Sequence, residues 1–173
     1  MHGCHAALVP VSPLHAPSLF EELCGPGRAD HWTYMPIPCP DSEASLAETL
    51  TSFTKSVDPL YFVVVRPEDA EKPAQEQHAF GIVTFMSIVP EHRRIEIGWI
   101  ILGDRLKRTR MATEVFFVLM KQAFDELGYL RLEWKCDSLN QPSRVAAARL
   151  GFTYEGVFRY VSLNCTCSEN RTY

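Results

Sequence analysis

The feature that most constrains the fold is a run over residues 95–102, which begins with alternating apolar residues and becomes continuously apolar. A strand with that pattern is buried on both faces, as expected of a central strand in a layered sheet. Apolar residues then recur at helical spacing over residues 111–127, and Gly128 supplies a stop. The sequence therefore predicts a buried strand, a short polar loop and a long helix in succession.

The rest of the chain is patterned in the same way. Residues 130–137 alternate between apolar and polar side chains, which predicts a half-buried strand. A short helix follows, with Asn140 near its cap, Pro142 in its first turn and Gly151 just past its end. The remaining predicted strands are residues 6–11, 60–65, 80–89 and 152–161, and the remaining helices are residues 15–23 and 42–53.

These elements predict a fold class. Their order is β-α-α-β-β-β-α-β-α-β, a mixed α/β layer structure in which helices flank a sheet. The 173 residues contain no internal repeat and no linker-like segment, so we predict a single domain over residues 1–173. A chain of this size buries enough apolar surface to fold without a disulfide or a metal.

Composition excludes several classes of function. The net charge of -4 argues against a nucleic-acid binder, which usually carries a broad basic face. No apolar run approaches 18 residues and no signal peptide is evident, so we expect a cytoplasmic protein that does not span a membrane. The six cysteines include no Cys-x-x-Cys pair; Cys165 and Cys167 are close in sequence but have no histidine nearby, so no metal site is predicted.

A basic cluster lies between the central strand and the long helix. Arg105, Lys107, Arg108 and Arg110 place four positive charges within six residues of an otherwise acidic chain. A helix N-terminus with cations beside it suits a multiply charged anion such as the phosphates of a nucleotide cofactor. The alternative is an ordinary solvated basic loop, and charge alone does not decide between the two.

Several motifs together carry a resemblance to a family. Residues 95–100 and 106–114 look like the fourth strand, pyrophosphate loop and third helix of the GNAT acyltransferase superfamily. Residues 131–137, Asn140-x-x-Ser143 and Leu150-Gly151-Phe152-x-x-Glu155-Gly156 resemble its RimJ/RimL-type branch. The resemblance covers about residues 6–160 and rests on the joint occurrence of these elements in order. It implies a mostly antiparallel central sheet with a V-shaped opening between residues 95–102 and 130–137, in which the pantetheine arm of acetyl-CoA lies.

The chain departs from the family pattern in two places. In the phosphate loop, Lys107 occupies the first motif position, Arg110 replaces the central glycine and Ala112 occupies the last position. A side chain at Arg110 could crowd the backbone approach to the pyrophosphate or add a charge contact. Residues 161–173 form an atypical tail where the family continues with another strand, so the sheet is expected to lack its last strand.

The resemblance also assigns candidate roles. Backbone N–H groups of Trp99, Ile100 and Ile101 would polarise the thioester carbonyl. The phosphate loop would contribute Lys107, Arg108, Thr109, Arg110, Met111, Ala112 and Thr113. Asn140 would contact the cofactor arm or simply cap a helix.

Two residues are candidates for proton transfer. Ser143 matches the family serine near the cofactor sulfur and would donate a proton to the departing thiolate; the alternative is a serine of the first helical turn that satisfies the backbone. Glu96 would be the base through water, or else an ion-pair partner of Arg94 or Arg131. Trp99 and Trp134 are expected in the core.

The acceptor is the least constrained part of the prediction. Residues 31–34 fall where the family lines its acceptor pocket, so His31, Trp32 and Tyr34 are candidate substrate contacts, with a packed aromatic corner as the alternative. The sequence predicts an acetyl-CoA-dependent N-acetyltransferase that acts on a small amine or a protein N-terminus by direct attack in a ternary complex. The alternative hypothesis is a catalytically silent GNAT-like module that binds coenzyme A or a protein partner.

Overall fold

The structure is a computed structural model that describes residues 1–159. A five-stranded sheet forms its centre, in the order β1-β2-β3-β4-β5. Strands β1 to β4 are antiparallel to their neighbours, whereas β5 runs parallel to β4. The strands are β1 (Ala7–Pro10), β2 (Leu60–Val65), β3 (Gly81–Val89), β4 (Arg94–Leu102) and β5 (Arg131–Glu133).

Helices cover both faces of this sheet. The helices are α1 (Ala16–Leu23), α2 (Glu43–Thr54), α3 (Arg110–Lys121) and α4 (Gln141–Arg149). One buried cluster joins α1 and α2 to the sheet through side chains such as Val63, Ile82 and Ile101. A second cluster joins α3 to the opposite face through Val83 and Ile97, among others. Because successive strand residues point to opposite faces, the near-continuous apolar runs of the central strands supply both clusters.

The helix boundaries follow from local hydrogen bonds. Ser42 caps α2, Thr109 caps α3 and Asn140 caps α4, each accepting a bond from a backbone N–H three residues later. Helix α3 continues into a π-helical turn over Gln122–Glu126. Gly128 ends it with φ of 68°, a conformation that glycine adopts without steric cost.

The structure confirms the predicted fold class, a mixed α/β sheet flanked by helices, and most of its elements. Two strand predictions are wrong in extent. The strand predicted over residues 130–137 is reduced to Arg131–Glu133, because its partner β4 diverges from it after Glu96. No strand forms over residues 152–159, and the rest of that prediction, like the atypical tail at 161–173, lies outside the described residues. Within residues 1–159, no helix has the length and apolarity needed to cross a bilayer.

Candidate functional site

Strand β4 is irregular near its middle. Ile82 of β3 pairs with Ile101 of β4 while Thr84 pairs with Gly98, so three steps on β4 match two on β3. At this bulge Trp99 has φ of 47°, a left-handed conformation that is uncommon for residues with a side chain. A bulge leaves its extra residue without a ladder partner and re-aims the local backbone. The predicted donors Trp99, Ile100 and Ile101 therefore lie at or beside a part of β4 where backbone groups are diverted from the ladder with β3.

An opening between β4 and β5 begins just before that bulge. The two parallel strands pair only from Arg94 with Arg131 to Glu96 with Glu133. Strand β4 continues to Leu102, but β5 ends at Glu133. Beyond Glu96, the β5 side of β4 therefore has no strand neighbour among the described residues. The structure thus contains an opening at the place where the resemblance implied one.

The N-terminus of α3 lies at the end of β4 beyond this opening. The Thr109 hydroxyl accepts a hydrogen bond from the Ala112 N–H at 3.1 Å and so caps the helix. The N–H groups of Arg110 and Met111 have no partner within residues 1–159. Free N–H groups and the helix dipole together create a site for an anion.

The basic side chains of this loop differ in their partners. Lys107 forms an ion pair with Asp104 at 3.0 Å, and Arg105 pairs with Glu21 and Glu22. Arg108 and Arg110 form no ion pair with any residue between 1 and 159. An uncompensated arginine pair beside a helix N-terminus is the arrangement that binds phosphate groups most readily.

Arg110, which replaces a motif glycine, has an ordinary helical position. Arg110 is the first residue of α3, and the left-handed residue of the loop is Arg108, with φ of 62°. Ala112 is a buried residue of α3, and the Thr113 hydroxyl donates to the Thr109 carbonyl at 3.4 Å. These two predicted contacts are therefore mainly parts of the helix start.

Helix α4 places Asn140 and Ser143 near the opening. The Asn140 side-chain oxygen accepts the Ser143 N–H at 3.1 Å, which is the helix-cap alternative considered for Asn140. The Ser143 hydroxyl oxygen accepts the indole N–H of Trp134 at 2.9 Å. Since the indole uses a lone pair of Ser143 and not its proton, the hydroxyl keeps its own proton for donation.

Glu96 is a buried carboxylate next to the point where the strands part. Its Oε2 lies 2.5 Å from the Lys135 ammonium and accepts the Ser87 hydroxyl at 3.0 Å. The expected alternative partners are wrong: Arg94 pairs with Glu133, and Arg131 pairs with Glu133 and Glu155. Lys135 comes from the segment after β5, so this ion pair bridges the opening.

Glu133 is the centre of the surrounding charge network. Burial alone would raise its pKa, but hydrogen bonds from Lys135 and Arg131 outweigh burial and lower the pKa to about 2. Burial likewise opposes the shift at Lys135, whose pKa is nevertheless raised by its hydrogen bonds to Glu133 and Glu96. At neutral pH both carboxylates therefore face a charged ammonium.

The three aromatic candidates for acceptor binding have different surroundings. Trp32 is only 3% exposed and donates its indole N–H to the Leu23 carbonyl, so it belongs to the core, as the packed-corner alternative expected. The Nε2 of His31 bonds Asp104 of the phosphate loop at 3.0 Å. Tyr34 donates its hydroxyl to the carbonyl of Leu139, just before α4. Of the three, Tyr34 is the one that reaches the segment between β5 and α4.

Comparison with known proteins identifies the family. The sequence model of the acetyltransferase (GNAT) domain matches residues 6–153. The chain belongs to the GNAT acetyltransferase family. This confirms the predicted acyltransferase class at the level of the family.

Solved GNAT structures agree with this assignment. A GCN5-related N-acetyltransferase from Brucella melitensis superposes with a TM-score of 0.86 and 33% identity, over 95% of this chain and 72% of that one. A probable GNAT acetyltransferase from Chromobacterium violaceum gives 0.84 and 34%, over 96% and 79%.

A curated GNAT relative covers a smaller part of the chain. The protein described as the uncharacterized N-acetyltransferase YoaA of Bacillus subtilis (strain 168) is 31% identical over 94 residues, or 54% of this chain. The match spans about half of that relative, 52% of its length.

The candidate site contains two hydrogen bonds that the sequence analysis did not predict. The bonds of Lys135 to Glu96 and of Trp134 to Ser143 both depend on where the chain goes after β5 stops. The alternation of residues 130–137 placed Glu133 and Lys135 on one polar face, which is a signal for the Lys135–Glu133 contact but not for the bond to Glu96. No local sequence pattern predicted the bond between Trp134 and Ser143, because it joins the segment after β5 to helix α4. Among residues 1–159 there is no cluster of three or more possible metal ligands.

Proposed function

We propose that this chain is an acetyl-CoA-dependent N-acetyltransferase of the RimJ/RimL-type branch, acting on the primary amine of a small molecule or of a protein N-terminus. One observation carries the proposal. The bulge at Trp99, the opening between β4 and β5 and a helix N-terminus with two uncompensated arginines follow one another along a single strand and loop. That arrangement fits a thioester at one end and phosphates at the other.

Acetyl-CoA supplies the activated acetyl group. The N–H groups of Arg110 and Met111, with the guanidinium groups of Arg108 and Arg110, would hold its phosphates. Backbone N–H groups at the bulge would polarise the carbonyl, since donors fixed in place before the reaction stabilise the negative charge that develops there. Lys107 contributes less than its motif position implies, because Asp104 already neutralises it.

Glu96 is the proposed base. An acceptor amine attacks only when neutral, so its proton has to pass to the protein, directly or through water. A carboxylate with about four acceptor positions retains capacity beyond its bonds to Lys135 and Ser87. The carboxylate also lies on the α1/α2 face of the sheet, because its neighbours Ile95 and Ile97 belong to the cluster on the α3 face.

Ser143 is the proposed acid. The bond from amine nitrogen to acetyl carbon forms as the carbon–sulfur bond breaks. Ser143 passes its proton to the departing thiolate and regains one from solvent, while the amine proton leaves through Glu96. The indole of Trp134 acts as a positioning group for this step because it fixes the acceptor side of the hydroxyl. Trp134 itself is held between Phe116 of α3 and Phe152, with ring centroids at 5.3 and 5.5 Å.

The alternative function is a silent GNAT module that binds coenzyme A or a protein without transferring acetyl groups. The observation that favours it is the Glu96–Lys135 ion pair, which already occupies the proposed base. Among residues 1–159 there is also no strand on the outer edge of β5, where the family resemblance implies one wall of the acceptor site.

A transfer assay separates these functions. Purified protein is incubated with acetyl-CoA and a panel of amines, namely a polyamine, free amino acids and peptides with a free N-terminus, and free thiol release is followed. We expect acetylation of at least one class, confirmed by mass spectrometry of the product. No product from any class, despite acetyl-CoA binding, would establish the silent module instead.

Protein variants studied in the same assay test the roles assigned to individual residues. Ser143→Ala should lower kcat by about 10²-fold with little change in the KM for acetyl-CoA, since general acid catalysis contributes on that order. Ser138→Ala, in the same segment, is the matched control and should behave as wild type. An equal loss of kcat and of cofactor affinity in Ser143→Ala would identify a structural serine.

A further inference from the structure

Glu22 of α1 is a fully buried carboxylate that contacts the phosphate loop, residues 103–109 between β4 and α3. Its Oε1 lies 2.5 Å from the guanidinium of Arg105, in the loop, and 2.9 Å from the imidazole of His78, ahead of β3. One buried oxygen therefore joins α1 to the loop and to the chain that enters β3.

The other oxygen of Glu22 lies against the first residue of the loop. A Cβ at Gly103 would approach Glu22 Oε2 to 2.6 Å and the carbonyl oxygen of Phe80 to 2.9 Å, so glycine is what lets the loop backbone come this close. The Gly103 carbonyl in turn accepts the N–H groups of Leu106 and Lys107, each at 3.0 Å. The position of Gly103 therefore sets the turn that leads to the α3 N-terminus.

This arrangement is not the one that stability alone would favour. Glu22 Oε2 is buried and has no hydrogen-bond partner among residues 1–159. A buried polar atom without a partner costs free energy, and apolar residues in place of a buried ion pair are often neutral or stabilising. What the carboxylate does provide is geometric, because it fixes an arginine and a glycine of the same loop.

The contact with Glu22 separates Arg105 from the other arginines of the basic cluster. The guanidinium of Arg105 pairs with both Glu21 and Glu22, and its pKa is raised mainly by the hydrogen bond to Glu22. Arg108 and Arg110 have no such ion pair among residues 1–159. Arg105 therefore anchors the loop, whereas Arg108 and Arg110 keep their charge for an anion.

We infer that Glu22 is a positioning residue for the cofactor, which holds the loop through Arg105 and Gly103 so that Arg108 and the α3 N–H groups face one anion. The inference rests on the proposed function, because it takes the loop as the phosphate site. It also predicts an effect of unexpected sign. Removal of a negative charge near a phosphate site should strengthen anion binding by Coulomb's law, whereas removal of Glu22 should weaken it because the loop loses its anchor.

The test compares acetyl-CoA with S-acetylpantetheine, which lacks the phosphates and the nucleoside. Both are titrated calorimetrically into the full chain, into Glu22→Gln and into the control Glu21→Gln, whose carboxylate pairs with the same guanidinium but is 63% exposed. We expect Glu22→Gln to bind acetyl-CoA roughly tenfold more weakly, about the effect of one charge-assisted contact, with unchanged affinity for S-acetylpantetheine. Glu21→Gln should bind both ligands as wild type does, because exposed ion pairs contribute little.

The ratio of the two affinities is the decisive readout, because general damage to the fold weakens both ligands alike. Unchanged or tighter binding of acetyl-CoA by Glu22→Gln overturns the inference, since Glu22 would then only hold Arg105 away from the phosphates. Equal weakening of both ligands overturns it as well, because it shows a general structural role.

A second variant applies if Glu22→Gln does not fold. Arg105→Lys alters the half-exposed side of the same contact and keeps the charge but not the geometry of the guanidinium, and the same results are expected of it. A wild type that binds acetyl-CoA no more tightly than S-acetylpantetheine overturns the proposed phosphate site together with this inference. A wild type that prefers acetyl-CoA, with a Glu22→Gln protein that keeps the full preference, overturns the inference alone.

Discussion

Strands β1 to β4 and the segment from β5 to α4 are stabilised in different ways. The first region has two apolar clusters, one on each face of the sheet, with side chains such as Leu50 and Leu119 removed from solvent. The second has a three-residue strand and a helix without a single buried residue. It is connected to the first region through the short β4–β5 ladder, the ion pairs of Glu133 and Lys135, and partly buried side chains such as Trp134.

The difference shows where stability and chemistry are placed in this fold. Burial of apolar side chains stabilises strands β1 to β4. The proposed catalytic groups lie where this region meets the more polar segment from β5 to α4. Glu96 belongs to the well-packed region, whereas Ser143 and Lys135 belong to the other. The relative placement of these groups therefore depends on the contacts that join the two regions.

The largest expected effect is on stability and contrasts two leucines. Leu119→Ala, at a position with 0% exposure in α3, should lower the free energy of unfolding by about 3 kcal/mol because it leaves a cavity. Leu139→Ala, at 58% exposure before α4, should change it by less than about 0.5 kcal/mol. Urea denaturation of both variants measures the difference, and equal losses would mean that the two regions are equally packed.

A smaller effect is expected from the charge network. Glu133→Gln should lower the free energy of unfolding by about 1–3 kcal/mol at pH 7, because it replaces the carboxylate shared by Lys135, Arg131 and Arg94 with a neutral amide. The exposed Glu48→Gln, which removes an unpaired carboxylate of α2, is the control and should stay close to wild type.

The pH dependence of that effect has a definite sign. Since the pKa of Glu133 is lowered to about 2, its contribution is complete above the ordinary glutamate pKa near 4.3 and declines as the pH falls towards 2. The gap in unfolding free energy between wild type and Glu133→Gln should therefore narrow below about pH 4. A gap that is constant from pH 7 to pH 3 would contradict the lowered pKa.

The smallest predicted effect concerns the contact between Trp134 and Ser143. Trp134→Phe keeps an aromatic ring between Phe116 and Phe152 but removes the indole N–H, worth about 1 kcal/mol, so kcat should fall roughly fivefold. Added to Ser143→Ala, the same change should cost nothing further, because the two residues act as one unit. Steady-state kinetics of the single and double variants decides this, and additive losses would separate Trp134 from the role of Ser143.

Sequence patterns predicted the well-packed region far better than the other. The continuous apolar run at residues 95–102 and the helical repeat after Met111 identified β4 and α3, since apolar periodicity directly reports burial. Alternation at residues 130–137 was equally regular, yet only Arg131–Glu133 pairs. Alternation shows which face of a strand is polar. It does not show that β4 stops pairing with β5 after Glu96 and then bulges.

The candidate site was predictable only where a local rule applied. Helix-start chemistry predicted an anion site around Thr109 and Arg110, and the structure has a capped helix there whose first N–H groups have no partner within residues 1–159. The partners of His31 and Glu96 were not predictable, because each comes from an element distant in sequence. The choice between substrate contact and core position for Trp32 likewise needed the three-dimensional packing.

The central claim is that the α3 N-terminus and the β4–β5 opening together bind acetyl-CoA. Calorimetric titration of the full chain with acetyl-CoA tests it directly, with NADH as the comparison ligand. The double variant Arg108→Ala/Arg110→Ala is compared with Lys55→Ala/Lys121→Ala, which removes two charges elsewhere. We predict micromolar binding of acetyl-CoA alone, weakened by about 1–3 kcal/mol in the arginine variant and unaltered in the lysine variant. No binding to wild type, or equal binding to all three proteins, would contradict the account.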